Sequence, residues 1–224
     1  MRVMTVPRTA TAAAELRPEP TNKERIYDYI KDRINNGTYQ PGQSLRIADL
    51  AAELSVSQTP VREALILLEG EDFVDFRPYK GAVVKGLSRA ELKEIFTIRT
   101  ILENAALEYA IPRMTPELIA KARELLRQSG AAENKECFSE LNWQFHALIQ
   151  RQTGMPLLCQ MIESLSDRVK RYSRIYYLAE PERFMSDHIL QLDLYEKGDV
   201  EGAKALHKRQ IEHVVALVSP LLPE

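Results

Sequence analysis

The sequence predicts a mainly α-helical chain in two parts: a small helix-turn-helix closed by a β-hairpin, then a larger all-α helical bundle. Three observations carry this expectation. Two short segments with one apolar face, Ile47/Leu50/Ala51/Leu54 and Val61/Ala64/Leu65/Leu68, are joined only by Ser55-Val56-Ser57, the length of a helix-turn-helix connection. The hydrophobic period then changes to two over Val74-Asp75-Phe76-Arg77 and Ala82-Val83-Val84, as in half-buried strands. From Ser88 onward the pattern is helical to the end, and nine glycines in 224 residues disfavour a turn-rich all-β fold.

Residues 1–20, with Pro7, Pro18, Pro20 and a run of small residues, read as a flexible tail. Thr21-Asn22-Lys23-Glu24 is a capping box: the threonine hydroxyl can accept from the amide three residues on, while Glu24 reaches back. The helix it opens carries Ile26, Tyr29, Ile30 and Ile34 on one face and ends near Gly37. Pro41-Gly42 marks a turn. Pro60 fits the first turn of the helix that starts at Ser57, where its missing N–H is not needed. Pro78-Tyr79-Lys80-Gly81 supplies the hairpin turn.

The expected organisation is a 21–84 winged helix, an 85–88 linker, an 89–218 bundle and a 219–224 tail. Ser88-Arg89-Ala90-Glu91 is a second capping box, opening a helix with Leu92, Ile95, Phe96, Ile98, Arg99, Leu102 and Ala106 on its inner face. Helices are expected at 89–110, 115–129, 135–152, 156–177, 182–197 and 200–218, with Pro116 and Pro156 at starts and Gly154 and Gly198 at ends. Six helices of this length make a bundle with its own core.

No apolar run is long enough to span a bilayer, and Pro7, Arg8 and Glu15 interrupt any signal-like segment, so a cytoplasmic protein with no membrane partner is expected. Cys137 and Cys159 form no CxxC pair and read as inert thiols in a reducing compartment. Net charge is −2, and residues 1–88 hold 12 Lys/Arg against 12 Asp/Glu. Any contact with nucleic acid must come from a local patch.

Arg46–Val84 resembles the winged-helix domain of the GntR family of bacterial transcription regulators. The residues that carry the resemblance are Pro41-Gly42-Gln43-Ser44-Leu45, Leu50-Ala51, the run Leu54-Ser55-Val56-Ser57-Gln58-Thr59-Pro60-Val61-Arg62-Glu63-Ala64-Leu65, and Arg77-Pro78-Tyr79-Lys80-Gly81-Ala82-Val83-Val84. Residues 89–218 look like the all-helical, FCD-like effector domain of the FadR-type branch, through Arg99-x-x-x-Glu103, Phe145-His146, His188 and Gly198-Asp199.

The resemblance implies double-stranded operator DNA as partner. Arg62, exposed on the second motif helix, can fork onto guanine O6/N7 or a phosphate. Ser57 and Thr59 bring hydroxyls and free amides to a helix start, a seat for phosphate as well as an N-cap. Gln58 stands where relatives commonly carry Arg, and it can bond adenine but brings no charge. Arg46 reads as a phosphate contact. Lys80-Gly81 reads as a wing tip for the minor groove or as a solvated turn. Arg77, within the strand, is ambiguous.

In many relatives an Asp and three His hold a divalent metal inside the bundle. This chain keeps two of the imidazoles, His146 and His188, but has Asn142 and Gln210 in place of the Asp and the third His. Amides are weak ligands for zinc or nickel. A weakened metal site, a metal-free polar pocket and a structural polar core all remain open at this point. Arg99 is expected either to pair with Glu103 or to recognise a carboxylate effector, and His207 and His213 to lie on the surface. The resulting expectation is a dimeric, ligand-responsive repressor that reads a palindrome and is controlled by a small organic acid. The alternatives are a ligand-binding module without DNA affinity and an enzyme using the His146/His188 pocket. No Ser/His/Asp or Cys/His set, carboxylate pair or Gly-rich phosphate loop supports the enzyme.

Overall fold

The structure, a computed structural model, describes residues 21–77, 81–131 and 135–224, with side chains resuming at Glu140 after residue 131. The expected tail at 1–20, the wing tip Pro78–Lys80 and the side chain of Cys137 lie outside the described residues.

The N-terminal part runs α1 (Asn22–Asn35), β1 (Ser44–Leu45), α2 (Ile47–Glu53), α3 (Gln58–Gly70), β2 (Val74–Arg77) and β3 (Gly81–Val84). The first capping box forms as expected: the Glu24 amide donates to Thr21 Oγ1 at 3.3 Å and the Thr21 amide to Glu24 Oε2 at 2.7 Å. The turn between α2 and α3 places Ser55 at φ 54°, in the left-handed region. Ile26, Ile30 and Ile34 pack against Val61, Ala64, Leu65 and Leu68 and against Val74, Ala82 and Val84 of the sheet.

The strand β1 has no counterpart in the expectations, because two residues are too few to display a period. It pairs antiparallel with β3 (Ser44 opposite Val83, Leu45 opposite Ala82), so the sheet order is β1-β3-β2. In the hairpin, Arg77 pairs with Gly81, which has φ +73° and would bring a Cβ to 3.4 Å from the Leu45 carbonyl. Glycine is favoured there by the left-handed backbone angle, while the neighbouring carbonyl would make only an ordinary contact with a Cβ.

The second part holds α4 (Arg89–Ala110), α5 (Pro116–Gly130), α6 (Lys135–Gln150), α7 (Pro156–Ala179), α8 (Pro181–Glu196) and α9 (Val200–Val218). The second capping box, Ser88/Glu91, starts α4. Helix α6 stops at Gln150, two residues earlier than expected, because a 3₁₀ turn, Arg151–Thr153, and Gly154 at φ 66° close it. One apolar cluster joins Leu107, Ile119, Leu126, Phe145, Ile149 and Leu192. Another joins Leu92, Phe96, Val169, Tyr172, Phe184, Val214 and Val218, and Leu87 of the 85–88 connection is buried in it.

That connection is braced along its length. The Leu87 amide donates to the Tyr172 hydroxyl at 3.0 Å, Arg171 Nη2 donates to the Lys85 carbonyl at 2.5 Å, and Lys85 Nζ pairs with Asp72 at 2.9 Å. The expected tail 219–224 is likewise packed. Ser219–Leu221 is a 3₁₀ turn, and Arg89 at the start of α4 donates its amide to the Pro223 carbonyl at 3.0 Å and its Nε to the Leu222 carbonyl at 2.9 Å. Apolar Leu222 packs against the cluster beside it, and the two short hydrogen bonds hold the segment in place.

Candidate functional site

Two places bring together the expected residues. The first is the outer face of α3 with its flanks. Val61, Ala64, Leu65 and Leu68 point into the core, so the helical period turns Thr59 and Arg62 outward. Arg46, Ser57, Gln58, Thr59 and Arg62 are all exposed, and none of these side chains has a hydrogen-bond or ion-pair partner among the described residues. Ser57 occupies the N-cap position of α3 but makes no side-chain capping bond, so its hydroxyl is not consumed there. Gly81 begins β3, beside Leu45 and hence next to Arg46, the N-cap of α2. Arg77 is exposed, 3.9 Å from Asp75. Ile66, one turn beyond Arg62 and 52% exposed, shares this face; an isolated apolar residue carries no chemical signature in the sequence that would have marked it.

The second place is a cavity of about 280 Å³ in the bundle, whose lining includes Arg99, Asn142, His146, His188 and Gln210. All five candidates from four different helices therefore converge. His188 is buried against Phe184 and Phe145. Its Nδ1 lies 2.7 Å from the Phe184 carbonyl, which can only accept, so Nδ1 carries the proton. His188 Nε2 must then accept, and His146 Nε2, 3.1 Å away, donates to it. Burial first, then the neighbouring imidazole, pulls His146 down to about 3, and burial pulls His188 down to about 4. Both rings are neutral at pH 7.

Arg99 meets the partner that the sequence offers. Its Nη2 and Nε donate to Glu103 Oε1 at 2.7 and 3.2 Å. Nη1 has no partner among the described residues. The expectation that His207 lies on the surface is corrected: it is buried, with Nε2 at 2.8 Å from Glu103 Oε2. The cause is its place on α9, three residues from Gln210 on the flank that faces α4. Burial pushes the Glu103 carboxyl upward, but Arg99 and His207 outweigh it and hold the group well below the usual carboxylate range. His213 is half-buried, 2.9 Å from Glu180.

Gln191 Nε2 donates to Gln210 Oε1 at 2.5 Å, leaving Gln191 Oε1, Gln210 Nε2 and Asn142 Oδ1 buried without protein partners. Such atoms call for water or ligand. Gln191 and the cavity-facing side of α7, which includes Glu163, Asp167, Lys170 and Arg174, were not among the residues expected from the sequence. Their spacing of three and four was the available signal, but a polar helical stripe ordinarily marks a solvated face.

Residues 22–84 match the family model for bacterial regulatory proteins of the gntR family, and residues 94–213 match the FCD domain model. The HTH-type transcriptional regulator McbR of Escherichia coli K12 is 32% identical over 80% of this chain and 85% of its own length. The HTH-type transcriptional repressor RspR of the same organism is 28% identical over 92% and 93%. The solved structure of E. coli McbR/YncC superposes with a TM-score of 0.77 at 28% identity, covering 90% of this chain and 99% of that one.

Proposed function

The chain belongs to the GntR family of transcription regulators and carries an FCD effector domain, and from that premise we propose that it is a repressor that reads a palindromic operator as a dimer and answers to a small organic acid. It is a regulator and not an enzyme. The observation that carries the DNA-reading residues is the exposed set Arg46, Ser57, Gln58, Thr59 and Arg62, unpaired among the described residues, with Gly81 beside Leu45 next to Arg46. Side chains with no internal partner lose nothing inside the protein on turning to phosphate or base edges. Repression is supported by the likeness to RspR, a transcriptional repressor.

One winged helix touches few bases, and two joined by a dimer read two half-sites. The self-association surface in this reading is the stripe where α4 meets α7. Leu102, Ala106, Leu158 and Ile162 pack together there, flanked by exposed Ile98, Ile101, Leu157 and Met161. The effector occupies the cavity, with its oxygens and nitrogens against Asn142, His146, His188, Gln210 and the free Nη1 of Arg99. Among the described residues no helix is long and apolar enough to cross a membrane, which agrees with a place beside the chromosome in the cytoplasm.

In this reading a divalent ion such as zinc or nickel binds weakly or not at all. The donor set does not fit one well: two neutral imidazoles already bonded to each other, two amides and no carboxylate among the four. Metal analysis after chelator treatment and dialysis tests it; one tightly held ion per chain, lost in His146→Ala, overturns it.

The central test is selection from random duplex DNA, followed by light scattering of the complex. The expected result is a two-fold symmetric sequence bound by a dimer, and release of the DNA by one member of a panel of small organic acids. Recovery of no sequence overturns the assigned DNA contacts. A monomer on a single half-site overturns the dimer.

A further inference from the structure

The outer wall of the cavity is one face of α7, on which Glu163, Ser166, Asp167, Lys170, Ser173 and Arg174 recur three and four residues apart. Two of these residues also hold the N-terminal part. Asp167 Oδ2 lies 2.6 Å from Lys31 Nζ on α1, and Arg174 Nη1 donates to the carbonyl of Asn36, the C-cap of α1. The same short stretch of helix therefore faces both the ligand space and the DNA-reading part.

The charges along this wall are unequal. Deeper in the cavity, Arg99 is engaged by Glu103, and His146 and His188 are uncharged. Lys170 is half-buried and has no hydrogen-bond or ion-pair partner among the described residues. Arg174, one turn further, is held by an uncharged backbone carbonyl. Among the described residues, a cation without an anion beside a second one held by a neutral carbonyl is a seat for a negatively charged group.

We propose that Lys170 and Arg174 receive the acid group of the ligand, and that this draws Arg174 away from Asn36 and loosens α1 from the bundle. The proposal rests on the reading of the cavity as the effector site. An arginine–carboxylate bond is charge-assisted and roughly twice as strong as one to a neutral acceptor, and it can be bidentate. The two cations also repel each other at this i, i+4 spacing, and an anion between them removes that repulsion. Arg174 cannot serve both partners fully, so ligand and head compete for it. The Lys31–Asp167 and Arg168–Asp72 pairs remain, so the head stays attached with one restraint fewer beside the turn that follows α1.

The test needs no identified ligand, because Lys170→Glu places a carboxylate one turn before Arg174, where the acid group sits in this proposal. Lys170→Gln removes the cation without adding an anion. Hydrogen exchange is measured in the full chain at the amides of Asn36, Gly37 and Tyr39, which close the end of α1. Exchange roughly fivefold faster or more is expected in Lys170→Glu than in the parent or Lys170→Gln, with Arg174→Ala giving the same rise, and a matching change in affinity for the selected operator. Equal exchange in Lys170→Glu and Lys170→Gln overturns the proposal, as does an Arg174→Ala variant that behaves like the parent. Either result, with the parent still binding its operator and still releasing it to an acid, leaves the effector-site reading standing. A parent that responds to no acid overturns that reading instead.

Discussion

Arg62 and Arg99 place the same guanidinium on two helices of one chain, in opposite circumstances. Arg62 is exposed on α3, and no group among the described residues answers it; Arg99 is nearly buried on α4, and two of its nitrogens grip Glu103. The outer face of α3, proposed above to read DNA, is built from side chains that have no partner among the described residues. The cavity is built largely from side chains that contact one another, with some atoms left over, among them Asn142 Oδ1, Gln191 Oε1 and Gln210 Nε2. Damage to the first should therefore appear in binding with the fold intact, and damage to the second in stability before binding.

The largest separation is expected for Glu103→Ala, which leaves Arg99 and His207 buried without their shared anion. A loss of about 3–5 kcal/mol is expected in urea unfolding, the usual result of breaking a buried pair from one side. A variant as stable as the parent would erase the distinction between the two regions.

Acid comes next. In the unfolded chain His146 and His188 take up protons as pH falls through 6.5, whereas in the folded chain they do so only near 3 and 4. Their contribution to stability is complete above pH 6.5 and is lost progressively below it, by up to about 1.4 kcal/mol per pH unit for each ring. Urea midpoints at pH 7 and pH 5 should differ more in the parent than in the His146→Gln/His188→Gln double variant. Equal differences would mean that the rings are solvated and not enclosed.

Arg62→Ala should weaken operator binding by about 1–3 kcal/mol and relax one base position. Its unfolding free energy should stay within about 0.5 kcal/mol of the parent, as for an exposed side chain without partners. Smallest is Gly81→Ala, which forces a left-handed angle on alanine and is expected to cost about 1 kcal/mol in thermal unfolding.

The same contrast governs what could be read from the sequence. Capping boxes, prolines at helix starts and the change of period at Val74 are local signals, and the helix ends they predicted agree closely with the structure. The exposed residues around Arg62 were legible because one helical turn settles which way they face. The cavity was legible only for Arg99, Asn142, His146, His188 and Gln210, whose types and order carried a resemblance. His207 was misplaced because its burial depends on where Glu103 of α4 lies, 104 positions earlier in the chain. Lys170 and Arg174 carried no distinguishing signal in the sequence, because nothing local tells a helix that its polar stripe faces a cavity and another domain.

The pairing of Leu45 with Ala82 joins residues 37 positions apart and encloses α2, α3 and β2 within one closed loop of chain. Bringing such distant segments together costs chain entropy before any contact repays it. Neither partner strand is long enough to persist alone: β1 has two residues and β3 four. The helices that present Arg62 and the hairpin that presents Gly81 therefore form and melt together, as one cooperative unit. A nascent chain released before Ala82 has emerged cannot complete that unit, and its Ile26, Leu65 and Leu68 stay without the sheet that covers them.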